Sequence, residues 1–386
     1  MIKHFPPPAS CTAPMRPWLL AVMLALLLAS PLVQAHKKGD TTDSPPVTMV
    51  TMVNMKCSGS GSDYHCGPLA LAAGVTLSIT SELPTTITVN GDFTVGAKSY
   101  IRQEGRALGV SFVVTGTTYL GDGAHVTANL QGNGVVTLGD QVEFTGNITT
   151  GDAVINVGAE NIVIGNLTTG SGAINVGADS YIDGSIVTTV AGVVNVGAKS
   201  TVTGNITTQS GAVNMGADSH VKGFISSTLA GVVSIGANAW VNGSITTVSG
   251  AINLGESSRV DGSVSDSIAG AITLGRKASV GGGVSTNSGA ITLGDDVAVG
   301  ESVCTGLAGA ITVGDNVAIK GNVSTNNGAI TVGDNSQIGG TVGAAVGAVT
   351  VAKSAKTGSV LSHFKCPGSP GSLSLKSRQW RQIFMR

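Results

Sequence analysis

Between Pro84 and Pro367 the sequence has no proline, and over its 386 residues only 4% are aromatic and 11% charged. Each shortage excludes something. So few aromatic and charged residues set the chain apart from an ordinary globular domain. A formal net charge of −1 leaves no electrostatic footprint for nucleic acid. Collagen is excluded by the missing proline and by glycines that do not fall at every third residue. The same lack of proline leaves every residue of a long central stretch able to donate its backbone N–H to a neighbouring strand. Beyond the N-terminal apolar run there is no second hydrophobic stretch of membrane-spanning length.

What is abundant is glycine, 56 residues of it, and regularly placed Val and Ile, a pattern that disordered chains do not show. Gly172-Ala-Ile-Asn-Val-Gly177 has echoes opening at Gly192, Gly211, Gly231, Gly250, Gly270, Gly289, Gly309, Gly328 and Gly347. The intervals alternate between 20 and 19 residues, with a last one of 19. Around each second glycine, as at Gly177, apolar and polar residues alternate with the period of two that a half-buried strand requires. A unit this small cannot bury its own apolar face, but stacked units close that face into a continuous core. The pattern predicts an all-β fold, a single-stranded β-solenoid of 19–20 residues per coil. About twelve coils would stack at ~4.8 Å into a rod of roughly 55–60 Å. Glycines are expected at its corners, for positive φ or for close backbone approach.

The longer coils carry an extra aliphatic, Val190, Leu229, Ile268 and Leu307, with Val346 continuing the series 39 residues on. The structural unit is thus a 39-residue double coil. The added aliphatics are expected to fill the core, with a lateral contact surface as the alternative.

The expected organisation is a signal peptide at 1–35, a linker at 36–56, an N-terminal cap with irregular first coils at 57–120, and the repeats at 121–352. A C-terminal cap and a flexible basic tail with Lys376, Arg378 and Arg381 then follow at 353–386. The leader rests on Lys3 and Arg16 before the apolar run Trp18 to Ala29, followed by the small-residue cleavage pattern Val33-Gln34-Ala35. It implies an exported protein, periplasmic, surface-bound or secreted. In such a compartment Cys57 and Cys66 are expected to form a disulfide, while Cys304 and Cys366 either tie the tail to the rod or link neighbouring molecules.

Segments such as Val313-Gly-Asp-Asn-Val-Ala-Ile-Lys-Gly-Asn-Val323 and Gly197-Ala-Lys-Ser-Thr-Val-Thr-Gly-Asn-Ile206 resemble bactofilins, the polymer-forming cytoskeletal β-helix proteins of bacteria. The likeness covers about Gly121 to Val351. It implies a right-handed, triangular β-helix that joins end to end into filaments without nucleotide. Bactofilins are typically cytoplasmic, so the leader and the cysteine-containing cap depart from the family.

Constellations that carry chemistry are sparse. Hexapeptide acyltransferases want coils of 18 and a histidine base, and the candidate base here is His220. Asp295, Asp315 and Asp334 follow the marker glycines of consecutive coils and stack in one column, a weak candidate for a cation site or a carboxylate pair, with a solvated corner the plainer reading. An outward column of Asn156, Asn175, Asn195, Asn214, Ser234 and Asn253 changes to Thr273, Thr292, Thr312, Thr331 and Thr350. It suggests a stabilising ladder or an ice-binding face, although the second Thr set (Thr188, Thr208, Thr247, Thr286, Thr325) lies elsewhere in the coil. The reading is therefore a non-enzymatic scaffold without metal or cofactor, its partners being further copies of itself. The alternative is an adhesin or a rod that binds cell-wall or surface polysaccharide.

Overall fold

The structure is a computed structural model that describes residues 49–50, 57–80, 83–104, 109–362, 364 and 366. The expected signal peptide, most of the linker and the basic tail lie outside the described residues. The chain divides into Met1–Pro45 and Pro46–Arg386, and all the described residues belong to the second unit.

That unit is a β-solenoid, with no helix among the described residues. One coil shows the construction. Ile174–Val176, Tyr181–Asp183 and Ile186–Thr188 are three short strands. In each, the inward side chains are buried and the outward ones face solvent. The next coil pairs with all three in parallel: Ile174 with Val194, Ile182 with Val202, and Ile186 with Ile206. Three strand ladders therefore run along the molecule. The first has fifteen strands, from Leu69–Leu71 to Val349–Val351. At about 4.8 Å per coil that is a stack about 67 Å long. Each fully buried Val or Ile contributes about 1.5–3 kcal/mol.

Three more coils exist than the regular spacing predicts. Leu69 pairs with Phe93, Phe93 with Thr118, and Thr118 with Val136, steps of 24, 25 and 18 residues. The strands of these coils keep register while their corners vary in length, so the periodicity is hidden although the ladder is not. Phe93 and Phe112, stacked at 4.7 Å, fill the core there.

The corners divide their conformational demands between two residues. Left-handed backbone falls two residues after the marker glycine, at Lys98, Gln141, Glu160, Asp179, Lys199, Asp218 and their successors, with φ of 53° to 60°. The amide of each, as at Lys199, donates to the next coil (Ala217 O, 2.9 Å), and that ladder holds the strained conformation in place. The marker glycines serve close approach instead. A Cβ at Gly197 would fall 2.5 Å from the carbonyl carbon of Gly177.

The extra aliphatics do not fill the core, contrary to expectation. Val190, Leu229, Ile268 and Leu307 are 51–61% exposed, and Val346 65%. The register explains why. Thr286 faces Thr305 but Ser288 faces Ala308, so the longer coil takes up its additional residue as a bulge at the corner. The inner columns are already filled, and the bulge throws its side chain outward. Behind the corner runs a buried hydroxyl ladder. Thr188, Thr208 and Thr247 donate to Gly192, Gly211 and Gly250 carbonyls at 2.9–3.2 Å. In that column Asp266 replaces Thr. It is fully buried and accepts from Thr247 Oγ1 (2.8 Å), Gly250 N (3.1 Å) and Ile268 N (3.2 Å).

The two ends differ. At the N-terminal end, Ser58–Ser60 and Asp63–Cys66 form an antiparallel hairpin whose second strand joins the third ladder. The Cys57–Cys66 disulfide closes it, as expected. At the C-terminal end the ladders continue through Val349–Val351 and Lys356–Ser362, and among the described residues each of these pairs on one side only. The chain then doubles back. Phe364 lies against Gly343, Cys366 N donates to Asn326 Oδ1 (3.3 Å), and Cys366 is bonded to Cys304. Of the two alternatives for these cysteines, this is the one that ties the tail to the rod.

Candidate functional site

The aspartate column is occupied by backbone. Asp295 Oδ1 accepts the amide of Asp315 (3.0 Å), Asp315 Oδ1 that of Asp334 (2.7 Å), and Asp334 Oδ1 the hydroxyl of Ser354 (2.6 Å). The same device recurs where Asp122 and Asp140 accept the amides of Asp140 and Ala159. Each carboxylate thus extends the hydrogen-bond ladder around a corner. Among the described residues no three Asp, Glu, His or Cys side chains converge to hold a metal ion. The same kind of contact shifts a titration at Asp92. The amide and hydroxyl of Thr117, at 2.8 and 2.9 Å, hold its carboxyl below the ordinary carboxylate range.

The outward column of the first ladder divides chemically. Its Asn half is a side-chain ladder, with Asn175, Asn195 and Asn214 each donating to the previous Asn at 2.8 Å. Its Thr half, Thr273 to Thr350, is a single outward row. The second Thr set is turned into the corner and buried, so a flat two-column array of the ice-binding kind is not formed.

The outward face of the second ladder carries features that residue spacing did not bring out. Tyr100 stacks on His125 at 4.6 Å, and His220 on Trp240 at 4.4 Å. Arg259, one coil further, lies over the same Trp240 ring at 5.2 Å. Counting one coil on from His220 leads to Trp240, so the register held the signal. His220 Nε2 lies 2.5 Å from Asn242 Oδ1, which makes it a structural member of the stack. The stacks run along the molecule, so each ring covers its neighbour's face. A shallow groove of about 420 Å³ lies beside the second stack, at Lys222, Phe224 and Asn242. Another, of about 490 Å³, lies beside Lys320, Gly339 and Lys356 and reaches the open C-terminal end.

That end leaves strand edges beside partly exposed apolar residues. Among the described residues the strands Val349–Val351 and Lys356–Ser362 have a partner strand on one side only, and unpaired strand edges template further pairing. Val349 and Val351 are half-buried, and Val360 and Leu361 are exposed. The two disulfides belong to an oxidising environment. Comparison of the chain with protein-family models, with curated proteins and with solved structures returns no match.

Proposed function

We propose that the protein is an exported structural rod, without enzymatic activity, that assembles end to end through copies of itself. The observation that carries this reading is the C-terminal end, where among the described residues the strand edges have no partner and Val349 and Val351 are half-buried. Two such ends meeting about a two-fold axis pair edge to edge and remove both liabilities at once. The N-terminal end keeps a strand edge at Leu69–Leu71, but there the inward Leu69 and Leu71 are buried beside the disulfide-closed hairpin. The leader and the disulfides support export, and the likeness to bactofilins supports self-assembly without nucleotide. A polysaccharide-binding rod has less behind it, because the ring faces that would stack on sugars cover one another.

Sedimentation velocity on the chain from His36 onward tests the reading. The average mass rises with concentration, and Val351→Lys holds it at no more than two chains with the melting temperature kept. A monomer at every concentration and salt level overturns it.

A further inference from the structure

The exposed aliphatics form a surface that end-to-end assembly does not use. Val190, Leu229, Ile268 and Leu307 occupy the same corner of every second coil, and Val346 extends the row by one more double coil. Half-exposed Val193 and Val232 widen it. The knobs are about 9.6 Å apart, two coil steps. Between them the shorter coils present Gln209, Val248 and Asn287, which are less exposed and leave gaps, whereas Asn326 receives the amide of this chain's own Cys366. The bulge under Ile268 is held from within, where buried Asp266 accepts its amide.

Charge is absent from this corner. Through its segments 188–193, 208–212, 227–232, 247–251, 266–271, 286–290, 305–310, 325–329 and 344–348 the single ionisable residue is Asp266, which is fully buried. A row of exposed aliphatics with no charge beside it is unusual for a solvated surface. It offers nothing to an ionic partner, and it lacks the aromatic faces on which a sugar would stack.

We propose that this corner is the lateral interface between two copies of the chain packed side by side in opposite directions. The pitch of the row selects the partner. Only a surface with the same ~9.6 Å repeat can place a side chain in every gap along the row, and a second copy has that repeat by construction. Set antiparallel and offset by one coil, the knobs of each copy enter the gaps of the other. Ile268, at the middle of the row, then lies close to Ile268 of the second copy. The row is also long. From Val190 to Val346 is eight coil steps, about 38 Å at ~4.8 Å each. A standard interface of about 800 Å² per copy needs a strip of that length about 21 Å wide. The contact is independent of the open end, so rods would associate sideways whether or not they also join by their tips.

The test is made on the chain from His36 onward carrying Val351→Lys, which separates lateral contact from end joining. Sedimentation equilibrium gives a dimer, and adding Leu229→Lys with Ile268→Lys weakens its association constant at least tenfold at an unchanged melting temperature. Mild oxidation of an Ile268→Cys variant gives a covalent dimer, whereas Thr292→Cys, on another face, does not. A monomer without the lysine substitutions at Leu229 and Ile268 overturns the proposal, as does a dimer indifferent to them or equal cross-linking at both cysteines. Faster tryptic cleavage at Arg378 and Arg381 in the lysine variant, with monomer mass throughout, would assign the row to this chain's own residues 367–386 and also overturn it.

Discussion

At one end of the solenoid Cys66, Leu69, Leu71 and Leu77 are buried beside a disulfide-closed hairpin. At the other, Val349 and Val351 are half-buried, and Val360 and Leu361 stand in solvent. Both ends face the same physical problem, since a stack of coils must stop somewhere and its last coil has no neighbour to cover it. The N-terminal end answers by changing topology, with Ser58–Ser60 laid antiparallel beside Asp63–Cys66 where a further parallel strand would go. Among the described residues the C-terminal end stops without such a change, and Phe364 and Cys366 lie against the side of the coils. A closed end contributes stability, whereas an open one is available for assembly.

The largest effect that separates them comes from burying a charge. Ile87, fully buried beside the hairpin, should cost at least about 4 kcal/mol when changed to Asp. The same change at Val351 should cost about 1 kcal/mol or less, because its side chain already meets water. Urea unfolding of the two variants checks the difference. Equal losses would mean that the C-terminal end is covered too.

Next come the disulfides. Cys57–Cys66 spans 9 residues and Cys304–Cys366 spans 62. Chain entropy alone ranks the longer loop higher, at about 4 against about 2.7 kcal/mol. The opposite order is expected in melting temperature. Replacing Cys57 and Cys66 with Ser loosens the coil that closes the core. Replacing Cys304 and Cys366 releases only the side strap, while the ladders beneath remain paired. Thermal melts of the two double variants decide the order.

The smallest effect is acid-linked and lies near the closed end. Because Thr117 depresses the carboxyl of Asp92 in the fold, its contribution is present above the unfolded value of about 3.9 and is lost as pH falls through the folded one. Stability curves of the parent and Asp92→Asn should differ near pH 6 and converge in acid.

The coil itself was legible in the residues. Alternation such as Ile174-Asn175-Val176, with glycine at a 19- or 20-residue spacing, leaves one parallel stack as the way to bury every inward column. Three things were not legible, each for a physical reason. An inserted residue breaks the period of two, so the facing of Leu229 or Ile268 depends on whether the backbone bulges inward or outward. The left-handed column holds Asp or Asn at six of twelve positions, but at Lys199 or Glu160 the side chain gives no sign of it, because neighbouring coils impose it through backbone hydrogen bonds. The open end looks like any other repeat in sequence, since Val349-Thr-Val351 matches Ile330-Thr-Val332 and differs only in having no coil beyond it. Of the candidate residues, Cys57 and Cys66 form the expected pair. Asp295, Asp315 and Asp334 stack as expected but spend their oxygens on the next coil.

Whether the C-terminal end is the joining end can be seen directly. Negative-stain microscopy of the chain from His36 onward, with a gold label on its first residue, makes the test. Joining at that end gives rods about 67 Å long together with rods of about twice that length, the labels of the doubled rods lying at their two outer tips. Labels at the joint, or single rods alone at every concentration, would contradict it.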